Sequence, residues 1–321
     1  MLQNTTILGT DLNLRTIIVN IIQAVGNYHE IYEENLQSII PRQGLDEINT
    51  RGDTGIIYTL PFGNLKRAEP SEIRGRLKSI VNRGYLICGI MGGSHRKGLA
   101  TKVVYETADH PNGTISTWIG MDAEYCRALA ASLFPNSTEQ KNIHFEEIMS
   151  EDEGFELLSN QSIDALLGAP YLIERSLIVV ENHQDDDVFI DFSIPYFYNK
   201  TILDTTNTEL NTSDGIAKIT PLALATARST NEPGNEWSDF CKWVVMCTFF
   251  AEETGVRKDT YYEMPQVSVF GSTLQDMFLR AIREVGNYEQ IYKDHMEEHV
   301  SREEHKINKL NEDGPQHLVL L

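Results

Sequence analysis

The sequence predicts an α/β fold with a mostly parallel sheet and extra helices at both ends. Short apolar runs such as 85–91 (YLICGIM) have the length and composition of buried strands. They alternate with amphipathic stretches such as 122–133, whose apolar residues recur at helical spacing. This alternation favours parallel pairing, because a crossover helix returns the chain to the same side of the sheet. A further helical stripe lies towards each end, in residues 14–25 and 272–299.

Local start and stop signals in the sequence mark the individual helices and strands. Pro70 and Ser71 favour a helix start within 69–83, Gly92 follows the first long strand, and Asp122 is the predicted N-cap of the helix 122–133. The predicted strands are 56–60, 85–91, 101–106, 143–148, 165–167, 177–180 and 189–195, and residues 115–121 lead into the helix 122–133. The predicted helices are 14–25, 28–40, 69–83, 122–133, 151–159, 236–253 and 272–299.

One sequence motif occurs twice. Residues 25–36 read VGNYHEIYEENL and residues 285–296 read VGNYEQIYKDHM, with six of the twelve positions identical. The same offset pairs Leu14 with Leu274 and Ile22 with Ile282. A register held over this length indicates an internal repeat.

Composition and charge restrict the class of partner. The 321 residues carry a formal net charge of −20, so nucleic acid and anionic membranes are disfavoured by electrostatic repulsion. No apolar run approaches the roughly 18–20 residues that span a bilayer, and we expect no membrane insertion. The first residues lack the basic flank and continuous apolar stretch of a signal peptide.

N-glycosylation triplets suggest the compartment. Six Asn-x-Ser/Thr triplets occur where about three are expected by chance. We therefore expect an extracellular or secretory location, N-linked glycans as the only attached group, and a signal outside this sequence. The candidate acceptors are Asn4, Asn112, Asn136, Asn160, Asn199 and Asn211.

The four cysteines permit at most two disulfides and show no metal-binding spacing. Cys88 lies on a predicted strand and Cys126 on the helix expected to cover it, so a disulfide and two buried thiols are both open. Cys241 and Cys247 are six residues apart on one helix, about 9 Å in rise, and cannot pair with each other.

Several stretches resemble a known family. RGYLICGI (83–90), GMDAEYCRALAASLF (120–134), GFELLSNQSIDALLG (154–168) and SIPYFYN (193–199) are similar to bacterial extracellular solute-binding proteins of the amino-acid family, in the general L-amino-acid-binding branch. The VGNYxxIY motif also resembles the C-terminal helix of that branch. The resemblance implies a periplasmic-binding-protein type II fold, in which two α/β lobes close on an amino acid.

The chain departs from this family in its second lobe. The family inserts about a hundred residues after the segment that resembles SIPYFYN, whereas Pro195 to Trp237 here leaves about forty, rich in turn formers. We therefore predict four parts: a tail-like repeat segment at 1–66, the first lobe at 67–200, a remnant of the second lobe or linker at 201–235, and a return helix with the C-terminal repeat helix at 236–321.

The ligand-binding residues are also altered. The resemblance places Arg175 where the family binds the ligand carboxylate, but the preceding loop, GAPY (168–171), lacks the expected hydroxyl groups. Arg175 is therefore either a retained ligand contact or a relic held in a structural ion pair. Residues 40–63 resemble the final stretch of the family, whereas the corresponding residues 303–321 have lost that pattern.

No catalytic grouping of Ser, His and Asp or of Cys and His is evident, and we expect no enzyme activity. HMEEH (295–299) matches a zinc-peptidase string, but the repeat replaces His295 and His299 by Asn35 and Ile39, so we predict no metal site. The resulting hypothesis is an extracellular structural protein that assembles head to tail, with itself or with homologous repeats, into repeat arrays or filaments. The alternative is an amino-acid-binding protein that acts in transport or sensing.

Overall fold

A computed structural model describes residues 73–92, 96–106, 114–136, 138–172, 180–181, 187–203, 216–229, 236–267, 269–302 and 308–309. The predicted elements within 1–66 lie outside this described part of the chain, as does most of the strand predicted at 177–180.

The described elements alternate as the sequence predicts. The strands are β1 (Leu86–Met91), β2 (Thr101–Glu106), β3 (Thr114–Ile119), β4 (Ile143–Ile148), β5 (Ala165–Pro170), β6 (Val180–Glu181), β7 (Asp187–Phe192), β8 (Phe197–Leu203) and β9 (Ile216–Ser229). The helices are α1 (Gly75–Arg83), α2 (Met121–Leu133), α3 (Glu139–Asn142), α4 (Glu151–Ser159), α5 (Glu236–Glu253), α6 (Met277–Val285) and α7 (Tyr288–His295), with short 3₁₀ turns at Tyr261–Glu263 and Ser272–Leu274.

The main sheet has the order β4-β1-β5-β9-β7-β6, and β8 also pairs with β9. The α/β class is therefore confirmed. Parallel pairing joins β1 to both β4 and β5. The remaining pairs, which all involve β9 or β6 with β7, are antiparallel. β2 and β3 form a separate antiparallel ribbon.

β9 corrects the predicted boundary at 201–235. Residues 216–229 are not a linker but a 14-residue strand inside the sheet. Leu222 to Ala225 are buried, with β5 on one side and the consecutive strands β7 and β8 on the other. The buried run is rich in Ala and flanked by Thr and Pro, and this composition concealed its strand character in the sequence.

Helices cover both faces of the sheet. α1, α2, α5, α6 and α7 contribute to one large core together with Leu86, Cys88 and Leu167 of the sheet. α4 covers the opposite face, where Phe155 and Leu158 meet Leu166 of the sheet. Alternate residues of β1 and β5 thus point into different cores, as the period-two geometry of a strand requires.

Two local predictions about helices need correction. α2 begins after Gly120, so Asp122 is not its N-cap but a fully buried residue of its first turn. Residues 272–299 do not form one helix, because the chain breaks at Gly286, which has a φ of +83°. No helix among the described residues has the length and apolar character that crossing a membrane requires.

The structure joins Cys88 to Cys126 in a disulfide, with Cα atoms 6.3 Å apart. The bridge ties β1 to α2 within the large core. Cys241 and Cys247 are buried free thiols, and burial raises the pKa of both well above its usual value.

Candidate functional site

The C-terminal repeat packs onto the lobe as one segment. Residues 274–302 and Asn308, called here the docking segment, lie against α2, α5 and β8, a surface called here the slot. The ten apolar side chains in this contact are each at most 6 % exposed. They are Leu274, Met277, Phe278, Ala281, Ile282, Val285, Tyr288, Ile291, Tyr292 and Met296.

Buried hydrogen bonds fix the position of the docking segment. The Ser132 hydroxyl of α2 donates to the carbonyl of Met277 at 3.0 Å. The Tyr288 hydroxyl donates to the carbonyl of Tyr196 at 2.7 Å, just before β8. Burial is the main cause that raises the pKa of Tyr288 well above its usual value. This hydroxyl therefore stays protonated and remains a donor.

The VGNY motif builds the bend between α6 and α7. Gly286 adopts the left-handed region, which few side chains tolerate. The Asn287 side chain accepts from the backbone of Gln290 at 3.0 Å, and the Gln290 side chain accepts from the backbone of Asn287 at 3.2 Å. This reciprocal pair is a capping box, which satisfies the free N–H groups at the start of α7.

An arginine clamp follows the bend. The Arg302 guanidinium lies 5.3 Å from the ring centroids of both Tyr288 and Tyr292. It donates to Glu252 of α5 at 2.8 Å. Burial is the largest single influence and by itself would lower the pKa of Arg302, but the charge and hydrogen bond of Glu252, together with Tyr288 and Tyr292, outweigh it and the pKa is raised. Arg302 thus couples the docking segment to α5 as a permanent cation.

Asn308 ends the described contacts at β8. Its side-chain oxygen accepts from the backbone N–H of Tyr198 at 2.8 Å, and its amide donates to the Tyr198 carbonyl at 3.0 Å. One buried amide group thus replaces the pairing that a neighbouring strand would provide. We expected residues 303–321 to have lost the family pattern, yet Asn308 within them docks on β8.

The N-terminal copy has identical or apolar residues at the positions that correspond to the buried apolar face of the docking segment. Six of the ten buried apolar positions are identical between the copies, and the other four are apolar in both. Glu30 replaces Gln290, and both residue types complete a capping box. Arg42 matches Arg302 in the same register, and after a one-residue shift Asn49 matches Asn308. Residues 14–49 lie outside the described part of the chain, so this comparison concerns sequence alone.

A second polar cluster lies at the carboxyl ends of β1 and β5. Arg96 donates to the Gly168 carbonyl at 2.9 Å and lies 3.3 Å from Asp122. The Tyr196 hydroxyl donates to Asp122 and accepts from the Gly168 N–H, both at 2.6 Å. Burial raises the pKa of Asp122 despite the opposing effects of Arg96 and Tyr196. These groups mostly satisfy one another, so the cluster positions loops rather than presenting a free charge.

Sequence reasoning missed this cluster because its members lie far apart along the chain. Arg96 falls in a loop for which the sequence predicted no role, and Asp122 was assigned to capping. Gly168 has a φ of +67° and sits against Arg96 and Asp122, so a side chain has no room there. The GAPY loop therefore has a structural reason to begin with glycine.

Some of the remaining predicted site residues lie outside the described part of the chain, and the others are exposed. Arg175 lies outside the described residues, as do Asn4, Asn112 and Asn211. Asn136, Asn160 and Asn199 are exposed. Among the described asparagines outside a glycosylation triplet, Asn142, Asn287 and Asn308 are buried.

The described residues contain no group of three side chains placed to hold a metal ion. Nε2 of His295 lies 3.4 Å from Glu124, and His299 is exposed. A cavity beside Arg76, Asp164 and Trp237 has a volume of ≈ 10 Å³. This is room for one water molecule and not for an amino acid.

No protein-family model and no curated protein matches the sequence. Among solved structures, an ABC transporter periplasmic binding protein from Brucella ovis with glutathione bound is similar, with 16% identity and a TM-score of 0.48, over 68% of this chain and 90% of that one. The periplasmic domain of BvgS from B. pertussis is similar with 11% identity and a TM-score of 0.32, over 84% of this chain and 54% of that one.

Proposed function

We propose that the chain is a non-catalytic extracellular assembly unit whose residues 14–49 dock on the lobe of a neighbouring unit. The docking position corresponds to the slot that the chain's own residues 274–302 and Asn308 fill. One observation carries the proposal. The two copies are both apolar at the ten apolar positions that docking buries, and they have matching residue types for capping, for the arginine clamp and for the contact with β8.

Occupancy of the slot argues for docking on another lobe. α6 and α7 already cover α2 and α5, and Arg302 already forms an ion pair with Glu252 of α5. A second segment with the same side chains has no place on the same surface. A segment of one unit that binds an unfilled slot on the next makes a heterologous contact, and contacts of this kind build head-to-tail repeats or filaments.

The exposed glycosylation sites and the disulfide support an extracellular location. The three described acceptor asparagines are exposed, and a disulfide joins Cys88 to Cys126. Disulfides persist in oxidising compartments. Glycans at Asn136, Asn160 and Asn199, with a net charge of −20, would keep assembled units hydrated and apart.

A graft tests whether the N-terminal copy is a docking segment. In the full chain, residues 274–302 are replaced by 14–42, while Phe278 and Ala281 are retained. We expect a cooperative thermal transition within about 5 °C of the native chain, because the remaining buried apolar positions are identical or similar in size. The control graft also changes both transferred tyrosines, Tyr28 and Tyr32, to Ala. A first graft no more stable than this control would disprove the proposal.

The second candidate function is capture of an amino acid, favoured by the match of Arg175 to the family pattern. The Arg96 cluster at the carboxyl end of the sheet could contribute to amino-acid capture only by ordering the neighbouring loops. Titration calorimetry of the full chain with the common L-amino acids separates the two functions. We expect no amino acid to bind with a dissociation constant below the millimolar range. Submicromolar binding that Arg175→Ala abolishes would replace the assembly proposal by solute binding.

A further inference from the structure

We infer that the lobe receiving residues 14–49 is a related lobe and not a second copy of this chain. The inference rests on the proposed function and specifies its partner. The two copies match in size at most of the buried apolar positions but differ sharply at two. Phe278 corresponds to Ile18, and Ala281 corresponds to Ile21.

The slot leaves little room beside Ala281. The Ser132 hydroxyl of α2 reaches across to the backbone carbonyl of Met277, which lies one helical turn before Ala281. A side chain as short as Ser makes this bond only where two helices approach closely. α2 also has small buried side chains at Ala128 and Ala131. An isoleucine in place of Ala281 would add three carbon atoms at a fully buried position, and well-packed cores resist such overpacking.

The second position differs in the opposite direction. Phe278 is fully buried among α2 and α5, so an isoleucine there would leave part of its space unfilled. Unfilled space in a core is destabilising, because the surroundings collapse only partly. The other substitutions at the buried apolar positions, Met277 for Ile17 and Met296 for Leu36, nearly conserve volume. Among these apolar positions the misfit is therefore confined to two residues and has opposite signs.

These differences define the partner by shape. The receiving slot is wider where this lobe meets Ala281 and shallower where it meets Phe278. It retains a carboxylate for Arg42, as Glu252 serves Arg302, and an accessible strand edge for Asn49, as β8 serves Asn308. A lobe of the same fold with different residues on its α2 counterpart meets these requirements.

The test transfers the two misfit residues into the full chain. Phe278→Ile with Ala281→Ile gives the docking segment the N-terminal residues at these positions. We expect the melting temperature to fall by about 10 °C, and by about 5 °C for each single substitution. The matched control, Arg283→Gln with Glu284→Ala, transfers two exposed differences and should change the melting temperature by no more than about 2 °C. A double variant as stable as this control would overturn the inference.

Self-association provides a second readout. Mass photometry of the unaltered chain should show monomers at all accessible concentrations. Oligomers that grow with concentration and vanish when residues 1–66 are deleted would identify a second copy as the partner. That result would overturn the inference but leave the proposed function standing, whereas failure of the graft that retains Phe278 and Ala281 would remove both.

Discussion

Single residues at the carboxyl end of the sheet carry more constraint than their sequence suggests. Gly168 and Gly255 both adopt the left-handed region, with φ of +67° and +75°. Arg96 and Asp122 occupy the space that a side chain of Gly168 would need, whereas nothing lies within 4 Å of that point at Gly255. Substituting each of the two glycines therefore separates the free-energy cost of the backbone conformation from the cost of steric crowding.

Gly168→Ala should therefore destabilise the protein much more than Gly255→Ala. We expect the free energy of unfolding to fall by about 3 kcal/mol or more at Gly168, because the added carbon displaces a buried ion pair. At Gly255 the expected loss is about 1 kcal/mol from backbone strain alone. Chemical denaturation measures both. Equal losses would mean that the Arg96–Asp122 pair shifts freely and does not constrain the loop.

At the scale of elements, the docking segment is held by apolar contact and by the Arg302 clamp. Arg302 bonds Glu252 between two tyrosine rings, and both charged side chains are less than a quarter exposed. A second ion pair of the same segment, Arg257 with Glu289, has both side chains 48% exposed. Solvent screens the second pair and not the first.

Arg302→Ala should lower the free energy of unfolding by about 2–3 kcal/mol, because it leaves the Glu252 carboxylate buried without its partner and removes two ring contacts. Arg257→Ala, the exposed control, should cost about 0.5 kcal/mol or less. Denaturant titration of both variants gives the comparison. An equal, small effect would mean that Arg302 does not secure the segment.

The elements that the sequence predicted share a strong local signal. β1, α2 and α4 have clear period or apolar runs, and each falls within a few residues of its predicted position. β9 was missed because its buried stretch is built from Ala and Leu between Thr and Pro, where propensity argues against a strand. Its neighbours in the sheet, and not its own residues, make it a strand.

The docking site was only partly predictable for a similar reason. The repeat marked residues 274–296 as a unit, since identity at helical spacing is visible in sequence alone. The partners of Arg302 and Asn308 are Glu252 and Tyr198, which lie 50 and 110 residues away in the chain. No local pattern reports contacts at such separations.

At the scale of the whole molecule, the Cys88–Cys126 disulfide and the docking segment both secure α2. The disulfide closes a loop with a sequence separation of 38. Closing a loop of this length stabilises the folded state by about 4 kcal/mol through the entropy of the unfolded chain. The bridge joins α2 to the sheet from one side, while α6 covers the helix from the other.

Cys88→Ala with Cys126→Ala should therefore lower the free energy of unfolding by about 3–4 kcal/mol. Cys247→Ala, which removes a buried free thiol of α5, should cost about 1–2 kcal/mol. Peptide mapping without reductant should recover residues 88 and 126 in one linked pair. Loss of that pair in the oxidised protein, or a double variant as stable as the native chain, would contradict the bridge.

The repeat also has a consequence for the order in which the chain is made. A ribosome synthesises residues 14–49 long before residues 274–308, so the slot on α2 and α5 first meets a competitor from its own chain. In sequence, the competitor has apolar residues at the same spacing, the same VGNY motif and an arginine at the matching position. Phe278 and Ala281 fit the slot better than the isoleucines at the matching N-terminal positions, so the slot favours the later segment. The difference in size therefore disfavours premature docking of the earlier segment. The mismatch from which we infer that the partner is not a second copy would also protect each lobe from closing on the wrong end of its own chain.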